Sequence, residues 1–119
     1  MTIQEFLKIS FDRDQKFFIP RPRILCKDGF SMSVQGGDGI YSTPRENSMF
    51  FFNVEVGYPS KKEKSLMPHI GGNKGCPKDT IYGYVPIETV DDIVKKHGGI
   101  VGVAMSIKRY AELKKSKGE

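Results

Sequence analysis

Tyr41-Ser42-Thr43-Pro44-Arg45 brings an aromatic ring, two hydroxyls and a guanidinium together in one short run. Arg21 and Arg23 lie near it in sequence, and Pro20 and Pro22 hold them in extended chain. Tyr82 and Tyr84 add two rings, which simple alternation puts on one face of a strand. Rings stack on a base, hydroxyls bond a ribose and guanidinium groups pair with phosphates. The same residues also make a turn followed by edge-strand tyrosines, with no ligand involved.

Other chemistries find less support. Cys26, His69, Cys76 and His97 are metal-ligand types, but no Cys-x-x-Cys or His-x-x-x-His spacing joins them. The plainer expectation is a buried strand cysteine, a loop cysteine and two surface histidines, with no metal. Gly71-Gly72-Asn73-Lys74-Gly75-Cys76 has the glycines of a phosphate cradle, but Pro77 removes an amide donor where a helix should begin. Gly37-Asp38-Gly39-Ile40-Tyr41-Ser42 lacks the third glycine of a dinucleotide loop. No Gly-x-Ser-x-Gly is present, and neither histidine stands at a motif spacing from Ser or Cys. Asp91 and Asp92 are adjacent on a predicted helix and point apart, which suits solvation. No catalytic set emerges, and no cofactor is expected.

The elements that must position these residues are readable in outline. Thr2-Ile3-Gln4-Glu5 forms a capping box for a short helix over 3–9, although Leu7, Ile9 and Phe11 also alternate as in a strand. Asp28-Gly29 separates two alternating runs, 23–26 and 30–35, and predicts a hairpin. Phe30, Met32 and Val34 take its apolar face; Ser31, Ser33 and Gln35 take the other. Residues 50–58 read as the longest strand, with Phe52, Val54, Val56 and Tyr58 on one face. Residues 59–79 hold three Pro, three Gly and five Lys and read as a long loop. A strand over 80–85 follows. Pro86 then opens a helix as its first residue, with Ile87, Val90, Ile93 and Val94 as an apolar stripe. Lys95, Lys96 and His97 suit its last turn, Gly98 its C′ position and Ile100 the C″ contact. A last helix is expected over 104–115. The expected class is α+β: one domain, 1–119, with an antiparallel sheet, a short N-terminal helix and two C-terminal helices.

The chain has 119 residues, 38% hydrophobic and 28% charged, an ordinary globular composition. Its net charge is +5, and residues 108–119 supply +3 of it. Lys61-Lys62-Glu63-Lys64 adds another +2. Such charge solvates a helix end and a loop, or attracts phosphate. No apolar run approaches the roughly 20 residues of a membrane span. The N-terminus has no basic segment followed by an apolar one, and two cysteines do not make a disulfide framework. The expected location is the cytoplasm.

Three stretches together resemble a family of small phage and prophage proteins. They are Arg21 to Gln35, Val54-Glu55-Val56-Gly57-Tyr58-Pro59-Ser60, and Ile81-Tyr82-Gly83-Tyr84-Val85-Pro86-Ile87 through His97-Gly98-Gly99-Ile100. The resemblance covers most of residues 21–100, and its Tyr-Gly-Tyr-Val-Pro and His-Gly-Gly-Ile pieces come in the family's order. The family is identified as the anti-Thoeris sponges, which sequester cyclic ADP-ribose-type immune signals. The resemblance implies tight nucleotide binding without cleavage, commonly between subunits of a homo-oligomer in the host cytoplasm. It also implies that Tyr82 stacks on the base and Arg109 pairs with phosphate. One departure is Tyr41-Ser42-Thr43-Pro44-Arg45, where an aromatic-Cys-x-Pro-Arg sequence is expected; it leaves the role of Ser42 open.

The expectation is therefore a signal-sequestering protein. Arg23, Arg45 and Arg109 would neutralise the pyrophosphate, Tyr41, Tyr82 and Tyr84 would sandwich adenine, and Ser33, Ser42 and Thr43 would bond the riboses. Two alternatives stand beside it. One is a protein- or nucleic-acid-binding inhibitor of the anti-CRISPR type, using the loop 61–78 and Lys114-Lys115-Ser116-Lys117. The other is a nucleotide-degrading enzyme with His69 or His97 as acid–base.

Overall fold

A computed structural model describes residues 1–72 and 75–104. The order is α1 (Ile3–Ile9), β1 (Ile24–Cys26), β2 (Ser31–Gln35), β3 (Asn53–Gly57), a 3-10 helix (Lys64–His69), β4 (Ile81–Pro86), α2 (Ile87–Lys96) and β5 (Ile100–Val103). The five strands form one sheet in the order β4-β3-β2-β1-β5. Every pairing is antiparallel. This is an α+β fold.

Local signals explain the helix ends. Thr2 Oγ1 accepts the Glu5 N–H, and Glu5 Oε1 accepts the Thr2 N–H, so the capping box is closed both ways and helix wins over strand in α1. Asp91 Oδ1 accepts the Ile3 N–H at 2.9 Å, which satisfies another first-turn donor and ties α1 to α2. At the far end of α2, Gly98 takes φ +91°. Its N–H bonds Lys95 O, and the Gly99 N–H bonds Val94 O. That is a Schellman pair in which Gly99, rather than Ile100, is C″. Pro86 is the residue before the helix, one position earlier than expected, and it also ends β4.

The core lies between the two helices and one face of the sheet. Ile3, Phe6 and Leu7 of α1 and Val90, Ile93 and Val94 of α2 meet Ile24, Met32, Val34, Val54, Val56 and Val85. Phe30, Phe51, Leu66 and Tyr82 complete it. Two of the expected faces are corrected. Phe51 is buried and Phe52 is exposed, because β3 begins only at Asn53, beyond the two phenylalanines. Tyr82 and Tyr84 lie on opposite faces: Val54 pairs with Val85 but Val56 pairs with Tyr82, so β4 carries an extra residue. Residues 100–103, expected as a cap contact and a lead into a helix, form β5 on the edge beside β1. The last helix expected over 104–115 falls almost wholly outside the described residues. Among the described residues no helix is long and apolar enough to cross a membrane.

Candidate functional site

The bulge in β4 creates the most distinctive surface feature. Tyr84 has φ +52°, in the left-handed region that a tyrosine seldom adopts. The turn-over takes the Tyr84 N–H out of line with the sheet ladder, and it donates to Tyr41 O at 2.9 Å. The segment carrying Tyr41 therefore lies against β3 and β4. Its own N–H donates to Glu55 Oε2 at 3.1 Å, and a Cβ at Gly83 would stand 3.1 Å from Tyr41 Cβ. Glycine at 83 is thus what lets Tyr41 approach.

Tyr41 and Tyr84 are each 44% exposed, with ring centroids 6.0 Å apart and planes tilted by 39°. Rings so close form a bent platform on which a base stacks, not a slot that takes one between them. The Arg45 guanidinium lies 5.3 Å from the Tyr41 ring centre. Its Nε donates to Ile40 O and its Nη2 to Gly39 O, which orient the group while its exposed edge faces solvent. Thr43 is exposed beside it, pinned by backbone bonds to Phe52 and Asn53. The Thr43–Pro44 peptide is cis. Asn53 Oδ1, on the residue paired with Thr43, is buried without a hydrogen-bond partner.

The other described residues singled out in the sequence do not join this platform. Tyr82 is fully buried, and its hydroxyl donates to Pro77 O at 2.5 Å; burial pushes the phenol above its ordinary range. Its ring is core, and no base reaches it. Ser42 is also fully buried, with Oγ donating to Pro44 O and accepting the Gly37 N–H. It shapes the turn and has nothing left for a ribose. Ser33 accepts from Gln35 Nε2 and pairs with Gly57, farther along the sheet. Arg23 donates from Nε to Ser31 Oγ and from Nη2 to the carbonyls of Ser31 and Tyr58. Its guanidinium staples β1 and β2 to the end of β3. Arg21 is buried, donating to Ser10 Oγ and to the carbonyls of Gly36 and Leu7. Arg109 lies outside the described residues.

A second polar cluster, invisible in sequence, surrounds His97. Expected at the surface, its side chain is 7% exposed. Nδ1 lies 2.6 Å from Asp28 Oδ2 and Nε2 2.5 Å from Glu63 Oε1, both within hydrogen-bond distance. Lys96 Nζ reaches Glu63 Oε2 at 3.1 Å, and Phe30 stacks on the imidazole with centroids 4.0 Å apart. Burial pulls the imidazole pKa down, but the bonds to Glu63 and Asp28 and their charges outweigh it and leave the pKa raised. The bond from His97 in turn holds the Asp28 carboxyl below its usual range. With both nitrogens engaged, His97 offers no atom to a substrate, so the acid–base role considered for it has no geometry here. The two carboxylates sit on opposite edges of one ring and share no point where a metal ion could rest. Cys26 is buried in β1, and Cys76 is exposed in the loop.

Beside this cluster a groove of about 450 Å³ runs between the 3-10 helix and α2, lined by Glu63, Lys64, Ser65, Thr89, Asp92, Ile93 and Lys96. Among the described residues, none of those singled out for nucleotide binding lines it. Comparison of the chain with protein-family models, with curated proteins and with solved structures finds no match.

Proposed function

We propose that the protein binds a nucleotide-type signal of the cyclic ADP-ribose class without cleaving it, and so lowers the free concentration available to a receptor. The observation that carries this reading is the platform of Tyr41 and Tyr84 with Arg45 beside it, two half-exposed rings fixed by a backbone bond through a left-handed tyrosine. Strained backbone persists where the surrounding structure holds it, and it gathers at ligand sites. A base stacked on such a ring gains about 1–3 kcal/mol. Arg45 supplies one cation and Thr43 one hydroxyl. Tyr82, Ser42, Ser33 and Arg23 take no part in this reading, because those groups are buried or bonded within the fold. The platform is open, so tight capture calls for a second copy of the chain to cover it, in keeping with the family the sequence resembles.

A second reading, a protein-binding inhibitor, is favoured by Phe50 and Phe52, which are 53% and 67% exposed and meet edge to face at 5.2 Å. Exposed aromatic pairs of this kind anchor protein interfaces. Titration calorimetry with cyclic ADP-ribose isomers separates the two. The first reading expects saturable binding that Tyr41→Ala weakens about tenfold, the equivalent of one lost stacking contact. Absence of heat at micromolar protein refutes it.

A further inference from the structure

His97 sits where three segments distant in sequence meet: the β1–β2 turn through Asp28, the lysine-rich loop through Glu63, and the end of α2. Ionised carboxylates accept hydrogen bonds and do not donate them, so an imidazole bonded to an ionised carboxylate at each nitrogen carries both protons. The surrounding charges agree. From the loop come Glu63 and Lys61, the latter close enough to act on Asp28. From α2 comes Lys96. From the turn come Asp28 and Lys27, whose Cβ would lie 2.9 Å from a Cβ at Gly98, with the buried Cys26 thiol next along. Phe30 covers one ring face. Two carboxylates balance Lys96 and the imidazolium only while His97 holds both protons. The C-terminal end of α2 favours the same charge.

We propose that His97 is a proton-operated clasp, which when doubly protonated ties the β1–β2 turn to the lysine-rich loop and which on losing one proton releases the turn while keeping the loop. The asymmetry follows from burial. The Glu63 side chain is 4% exposed, whereas that of Asp28 is 45% exposed. Facing a lone pair, Asp28 swings into water at small cost; Glu63 has no water to turn to. The remaining proton therefore stays on Nε2, against Glu63. Asp28 also caps its own turn by accepting the Phe30 N–H, so its departure loosens residues 27–30. The sign is fixed by the raised imidazole pKa: the clasp's contribution to stability is complete below the unfolded value near 6.5 and is lost as pH rises through the higher folded value.

The test is nitrogen-resolved NMR of the ¹⁵N-labelled full chain, titrated from acid to alkaline pH. The chain has only two histidines, so a His69→Gln variant assigns the signals. The clasp expects His97 doubly protonated at neutral pH, a titration midpoint above the ordinary histidine value of 6.5, and an Nε2–H tautomer after deprotonation. The protection factor of the Phe30 amide, its exchange rate corrected for the intrinsic rise with pH, should fall at least tenfold across the transition while that of Leu66 stays constant. Asp28→Asn, a change at a half-exposed side chain that leaves the core untouched, should lower the midpoint. A His97 that titrates at or below 6.5, an Nδ1–H tautomer, a midpoint unmoved by Asp28→Asn, or loop amides that open together with the turn would each overturn the proposal.

Discussion

Replacing Tyr84 by glycine and by alanine gives a sharp test of how the platform is built. At an ordinary strand position alanine is the more stable of the two, by roughly 0.5–1 kcal/mol, because glycine has more chain entropy to lose. At position 84 the backbone lies at φ +52°, where a Cβ meets the carbonyl oxygen. Holding a side chain there costs roughly 1–2 kcal/mol, a penalty glycine escapes. Subtracting glycine's entropic disadvantage leaves Tyr84→Gly more stable than Tyr84→Ala by roughly 0.5–1 kcal/mol, an inversion of the usual order. The ring contributes equally to both comparisons. It is 44% exposed, so its loss removes roughly 1 kcal/mol of apolar burial from either variant. Tyr84→Ala thus falls below the native protein by about that amount, and Tyr84→Gly lies near it. Equilibrium urea unfolding with a shared slope reads the order directly. An alanine variant as stable as the glycine one, or more so, would refute the left-handed bulge and with it the placement of Tyr41.

Three further substitutions, at two positions, test the core. Tyr82→Phe removes a hydroxyl bonded to Pro77 O and should cost about 1 kcal/mol, while Tyr82→Ala opens a cavity and should cost about 3–5 kcal/mol, both read by urea unfolding. Neither stability loss would be expected of a ring waiting for a base at the surface. Gly36→Ala should cost about 1–3 kcal/mol in the same assay, because its Cβ would stand 2.8 Å from the buried ring of Phe51; a neutral outcome would contradict that packing.

Features set by nearby residues were legible in the sequence. The Thr2–Glu5 capping box, the Asp28-Gly29 hairpin, the apolar stripe of α2 and its glycine stop each depend on groups a few residues apart, and each formed. What escaped depends on partners far along the chain. Alternation cannot announce the extra residue in β4, so it places Tyr82 and Tyr84 on one face where the bulge separates them. Phe50, Phe51 and Phe52 are chemically alike, and contacts far along the chain, with Gly36, Gln4 and Arg21, hold Phe51 in the core. His97 meets Asp28 and Glu63 across 69 and 34 residues, distances over which no spacing rule operates. β5 has four residues after a helix stop and becomes a strand only because β1 offers it an edge. Of the candidate binding set, Tyr41, Thr43, Arg45 and Tyr84 converge. Tyr82, Ser42, Ser33 and Arg23 have side chains of suitable type, but residue type alone does not say which way they point.

The platform itself is tested most directly by backbone and ring NMR of the ¹⁵N- and ¹³C-labelled protein titrated with cyclic ADP-ribose isomers. Binding as described would move resonances of residues 39–45, 53–55 and 83–85, with the ring signals of Tyr41 and Tyr84 shifted most, and the ligand would be recovered unchanged. Shifts confined to the groove between the 3-10 helix and α2, or no shifts at millimolar ligand, would contradict it.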